Sequence, residues 1–470
     1  MKKRIAVLLA ALLICPLLSS CAESPEEEAE TALSKQYEEC ITVFSDAHDD
    51  KDIRDYLLKW ANANKIKVSF DKSGNIIMSS GASEGYTEAP STIFQCTLDR
   101  DHIENTALSV STIQYLLRDT ESHGFLRALF TAKTDGIENV SRNYLSASNF
   151  ISLDWHESGE LLVGSAGSEY YTMKQPLAWK NPSYTHTYRI EVTGPEGIPC
   201  SESHRPNPIR IIGNLLAQAQ SRGILLEIAE FSGGSSADTY PANVSCVILV
   251  NQNDISKLEK RLKNAKEDFE ARYTSDEEAY SFTFTETETP RQVIEYQDTA
   301  NLISFLYTCI SGTYLKDDAG EVIALSNIGR IDATGKNLEI EVCTLSKSSD
   351  ILREMNSVLD TVCGLCDISY TMREGTPIWE DLTIVDDGKY SESETLESSY
   401  PENSVLVDTL EQQYSAVLGK GTKKVRSFEK TACSFAARKI ASMNVVAFGI
   451  TKENHFSETE VLVQYLGNLH

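Results

Sequence analysis

Positive charge is scarce in this chain: 43 Lys and Arg stand against 69 Asp and Glu in 470 residues, a net charge of −26 at pH 7. Such a surface repels nucleic acid and anionic headgroups, which argues against both as partners held by charge. Beyond the first eighteen residues no apolar run approaches the length of a bilayer-spanning helix. Walker and dinucleotide-binding fingerprints are also lacking. The 11 cysteines do not read as a disulfide framework. Cys15 and Cys21 belong to the leader region, and the remaining nine are odd in number. Several of these lie in strand-like apolar runs such as 244–250, where a thiol behaves as a small buried hydrophobe. Cys363-Gly364-Leu365-Cys366 has redox spacing, yet it closes a helix-like run and enters a strand-like one, the reverse of a thioredoxin-type motif.

Met1-Lys2-Lys3-Arg4 is basic, residues 5–18 are apolar, and Leu18-Ser19-Ser20-Cys21 ends the run in small residues before a cysteine. This order is that of a bacterial lipoprotein signal over 1–20, with Cys21 as the lipidated N-terminus. Several acyl chains on one residue would hold the body on a membrane at the cell envelope, outside the cytoplasm. Residues 21–32, acidic and nearly without large apolar groups, read as a solvated tether.

Helical and strand-like periodicities alternate along the body: helix 51–65, strands 66–70, 75–78 and 91–97, helix 103–117, and strands 125–131 and 149–153. The alternation predicts an α/β fold, a mostly parallel sheet between helices, with chemistry at the carboxyl ends of its strands. From Thr187 two further sets of strands and helices follow, and α/β alternation returns after 404. The expected division is a domain of 33–186 and 391–470, split by an inserted α+β lid of two similar halves over 187–390.

Phe94-Gln95-Cys96-Thr97-Leu98-Asp99, preceded by Asp71-Lys72-Ser73-Gly74-Asn75-Ile76, resembles the zinc-dependent aminoacyl-histidine dipeptidases of the carnosinase and peptidase T superfamily. The resemblance extends over nearly the whole body, though outside a few segments its motifs are weak. It implies a site of two zinc ions, two histidines and three carboxylates, with a separate glutamate activating the bridging water. Thr97 stands where that family has its first zinc histidine, and a hydroxyl is a poor zinc ligand beside an imidazole. Asp99 keeps the position of the aspartate that orients it. Glu104 falls on the bridging aspartate after a shortened loop. In Thr131-Ala132-Lys133-Thr134-Asp135, Thr134 replaces the general base while Asp135 keeps a ligand position. Asp154, in Ile151-Ser152-Leu153-Asp154-Trp155, and His455, after Phe448-Gly449-Ile450, match the remaining ligands. His156 and the acidic surroundings of His48 offer weaker alternatives.

In the lid, Gly197-Ile198-Pro199-Cys200-Ser201 lines up with a loop that carries an oxyanion-stabilising histidine in the family, and Pro199 falls on it. Arg205 and Asn207 keep an Arg-x-Asn pattern, and Lys347 stands where an arginine clamps a substrate carboxylate. The resemblance thus implies a dipeptidase-like binding or regulatory module without catalysis, zinc being weakly held or absent and a peptide its ligand, with an oligomer through the lid left open. The alternative is an active metallodipeptidase of Xaa-His type with a remodelled site on Glu104, Asp135, Asp154 and His455.

Overall fold

The computed structural model describes residues 24–202, 205–273, 280–380 and 404–469. Cys21 and the leader lie outside these residues. The chain divides into two compact units. The first runs to Leu162 and resumes in the C-terminal stretches ending at Lys424 and beginning at Lys439. The second begins at Val163 and includes Val425–Arg438.

In the first unit, strands β1 (Lys67–Phe70), β2 (Ile76–Ser80), β3 (Thr92–Thr97), β4 (Leu126–Thr131) and β5 (Asn149–Trp155) join the C-terminal strand Asn444–Gly449 and β6 (Glu160–Ser165) in one sheet. β4, β3, β5 and Asn444–Gly449 are mutually parallel and form its centre, while β1, β2 and β6 pair antiparallel at the flanks. This is the α/β sheet that the alternation predicts. Phe94, Leu129, Phe150, Ile151 and Phe448 are buried in it, as expected of parallel strands covered on both faces.

Helix Ile103–Asp119 is buried at every residue from Thr106 to Leu117. A helix enclosed all round must satisfy its polar side chains internally. The Ser109 hydroxyl donates to the Leu153 carbonyl at 2.5 Å, and Ser111 donates to the Ala107 carbonyl at 2.6 Å.

The expected tether is in part a helix. Pro25–Asp46 is helical, so most of 21–32 lies in a helix. The reason is a capping box: Ser24 accepts from the Glu27 amide at 3.2 Å, and the Glu27 carboxylate accepts from the Ser24 amide at 2.7 Å. Pro25 suits the first turn, and Glu26, Glu27 and Glu28 complement the helix dipole. Leu33, Tyr37, Cys40 and Phe44 anchor the later turns.

The second unit is an eight-strand antiparallel path with Gly312–Lys316 added beside Val322–Asp332. One half contributes Ser281–Glu286, His186–Thr193, Asn243–Val250 and Leu226–Gly234, in that spatial order. The other contributes Tyr370–Glu374, Gly167–Pro176, Asn337–Ser346 and Val322–Asp332. The halves meet where Leu226–Gly234 pairs with Val322–Asp332, and each carries two helices, Pro208–Ser221 with Ile255–Tyr273 and Tyr296–Thr308 with Ser349–Leu365. Gly167–Pro176 is therefore the counterpart of His186–Thr193. Its pairing with Asn337–Ser346 and Tyr370–Glu374 explains why this unit starts at Val163, upstream of the boundary expected at 187.

Candidate functional site

Asp154 is the best-placed of the sequence-derived positions. It sits near the end of β5, beside β3, where parallel strands deliver side chains to the carboxyl edge of the sheet. Its carboxylate is already engaged. Thr97 donates its backbone N–H to Oδ1 at 2.8 Å and its hydroxyl to Oδ2 at 2.6 Å. The Gln95 amide donates to Oδ2 at 3.0 Å, and its own carbonyl accepts from the Ser152 hydroxyl at 2.7 Å. Burial raises the Asp154 pKa above the usual carboxylate value, although the bonds from Thr97 and Gln95 favour the ionised form. Thr97, on the position of a zinc histidine, is thus the direct partner of the carboxylate that would share the metal.

The other proposed ligands have different company. Glu104 is exposed and pairs with Lys452 at 3.2 Å. Asp135 lies in the short 3-10 turn Thr134–Asn139 after β4. His455 opens the last helix and is buried. Its Nε2 meets the Thr112 hydroxyl at 3.0 Å, and its ring packs edge-on against Tyr37 with centroids 5.6 Å apart. Burial lowers its pKa to about 4, against an opposing backbone hydrogen bond at Leu108, so the ring is neutral at pH 7. Asp99 lies on the loop after β3 and meets His102 Nδ1 at 2.8 Å. Burial raises its carboxyl, but His102 and the Asp101 amide outweigh that and hold it below the ordinary value. His156 faces the Ile450 carbonyl at 3.1 Å, and burial lowers its pKa.

Among the described residues, no group of three or more His, Cys, Asp and Glu side chains is placed to hold a metal ion. The zinc pair that the resemblance implies does not fit the donors as arranged. Asp154 accepts three hydrogen bonds from Thr97 and Gln95, His455 is directed at Thr112, and Glu104 is paired at the surface.

A carboxylate that the sequence reading gave no role is also enclosed in this unit. Glu458 is fully buried. Oε1 accepts from the Ser158 hydroxyl at 2.6 Å, and Oε2 accepts from the Thr451 amide at 2.7 Å and the Thr451 hydroxyl at 3.0 Å. Asn454 also donates to Ser158 at 3.0 Å. Burial raises the Glu458 pKa despite these bonds. Gly449 lets the backbone of the neighbouring turn approach its strand, since a Cβ there would lie 2.0 Å from the Glu157 carbonyl oxygen.

The positions proposed for substrate binding lie in the second unit. Arg205 pairs with Glu202 at 3.2 Å. Asn207 caps helix Pro208–Ser221 by accepting from the Arg210 amide at 3.0 Å, and donates to Asn327 Oδ1 and the Ile328 carbonyl, both at 2.9 Å. All its polar atoms are committed to the fold. Asn207→Ala is therefore expected to lower the unfolding free energy by about 2 kcal/mol, from a lost cap and a stranded Asn327, read as a lower urea midpoint. An unchanged midpoint would contradict the capping role. Lys347 is 9% exposed, and its ammonium lies 4.7 Å from the Phe428 ring centroid. Burial lowers its pKa. Cys363 lies within helix Ser349–Leu365 and Cys366 caps its C-terminus, both buried, so neither has the exposed helix-start setting of a redox cysteine.

The α/β sheet and the inserted antiparallel unit together define a dipeptidase-type fold. The protein superposes on aminoacylhistidine dipeptidase from Vibrio alginolyticus with a TM-score of 0.74 at 17% sequence identity, covering 96% of this chain and 99% of that one. In sequence it is 21% identical over 381 residues to the cytosol non-specific dipeptidase of Escherichia coli (strain K12), covering 71% of this chain and 77% of the relative. The chain is thus similar to these dipeptidases in fold and, distantly, in sequence. No family model matches it.

Proposed function

We propose that this chain is a lipid-anchored protein of the bacterial envelope that uses a dipeptidase-like fold to bind peptide without hydrolysing it. The observation that carries this reading is the Thr97–Asp154 pair. Both carboxylate oxygens of Asp154 accept protein hydrogen bonds, at 2.8 and 2.6 Å from Thr97, where a metallopeptidase needs them for zinc. Thr134 in place of a general base argues the same way, because a hydroxyl does not take a proton from water at neutral pH.

The test is metal content and turnover of the purified body. Less than one zinc per chain after dialysis against a weak chelator, with no hydrolysis of Xaa-His dipeptides, is the expected result. Two tightly held ions or robust turnover would establish the active alternative. Anchoring is tested separately. Cys21→Ser is expected to release the protein from membranes or leave an uncleaved precursor, and a variant that is processed and fractionates as before would refute the lipoprotein reading.

A further inference from the structure

We propose that Cys200 and Cys343 form a disulfide that pins the 197–201 loop of the second unit to the strand Asn337–Ser346. The argument begins with strand register. Cys343 is the cross-strand partner of Asn327, so the two side chains emerge on the same face of the sheet. On that face Asn327 donates to the carbonyls of Ala237 and Thr239, at 2.9 and 2.8 Å. The residue between them, Asp238, accepts the backbone N–H of Cys200 at 2.8 Å, and Pro199 bridges to Thr239. Two independent sets of backbone and side-chain bonds therefore bring Cys200 over Cys343.

The thiols meet in a small apolar cluster with Ala237, Tyr240, Val322, Leu325 and Leu345, where Cys200 is 2% and Cys343 1% exposed. The Cys343 thiol is pushed well above its ordinary range, first by its hydrogen bond with Cys200 and then by burial. Both are thiols in this structure. A thiol pair so enclosed exchanges slowly once folded, so the bond forms while the chain is folding and is afterwards shielded from reductants.

The oxidant is itself a disulfide, either low-molecular-weight or on a thiol–disulfide oxidoreductase. One chain thiolate attacks it to give a mixed disulfide and releases one thiol. The second chain thiolate then displaces the other. The two cysteines lose two electrons and two protons, and the oxidant becomes two thiols. Because the bond would close the chain between 200 and 343, it removes conformational freedom chiefly from the unfolded state.

The experiment uses the full chain refolded in a glutathione redox buffer, with free thiols alkylated under denaturant and non-reduced peptides mapped. The expected result is one linked pair containing Cys200 and Cys343, with a higher urea midpoint than the same protein reduced. Recovery of both as alkylated thiols, or linkage of either to another cysteine such as Cys309, Cys363 or Cys366, would overturn the proposal. Since the mapping is done on the unsubstituted chain, it does not depend on a variant that folds. Cys343→Ala should leave Cys200 fully alkylatable.

Discussion

Glu458→Ala is expected to lower the unfolding free energy by roughly 3–5 kcal/mol, with Glu458→Gln intermediate. The alanine removes the acceptor of the Ser158 hydroxyl and of the Thr451 amide and hydroxyl, all partly buried, and each buried donor left without an acceptor costs about 1–3 kcal/mol. Glutamine keeps one acceptor but presents NH2 to a donor on the other side. A urea midpoint for Glu458→Ala within error of the parent would show that the carboxylate does not tie the last helix to the turn at Ser158.

Acid is expected to destabilise the protein through His455. Burial depresses this ring from an ordinary value near 6.5 to about 4 in the folded state. The contribution is fully present above pH 6.5 and is lost as pH falls toward 4, because the unfolded chain takes up the proton first. That difference is worth roughly 3 kcal/mol. Asp154 and Glu458, raised by burial, act in the opposite sense, adding stability at low pH and losing it as pH rises through their titration. The His455 effect is therefore read as a difference. Between pH 7 and 4 the parent should lose about 3 kcal/mol more than His455→Gln. Parallel stability curves for the two would show that the ring is not held neutral.

The α/β alternation was legible because strands such as Thr92–Thr97 and helices such as Ile103–Asp119 carry their period locally. Two features escaped that reading. Gly167–Pro176 has no local mark of the sheet it joins, since its partners lie 161 to 205 residues further along the chain. The helix from Pro25 was obscured by its acidic composition, although Ser24 and Glu27 three residues later spell a capping box. At the site, Asp154 could be placed at a strand end from its spacing. That its partner would be Thr97 itself, or that Ser158 would close on Glu458, depends on contacts 57 and 300 residues apart that no local pattern records.

The helix that starts at Pro25 also fixes a height. If Cys21 carries the lipid, three residues separate it from a rigid rod, and three extended residues reach about 10 Å. Eight further helical residues lead to Leu33, where the rod becomes buried, and at 1.5 Å each they add about 12 Å. Under that anchoring the body would ride within roughly 25 Å of the bilayer. Glu26, Glu27, Glu28 and Glu30 crowd the rod's exposed base, where anionic headgroups would repel them and keep it from lying down. A protein mounted as proposed would meet a peptide ligand close to the membrane surface and would not sweep the space beyond it.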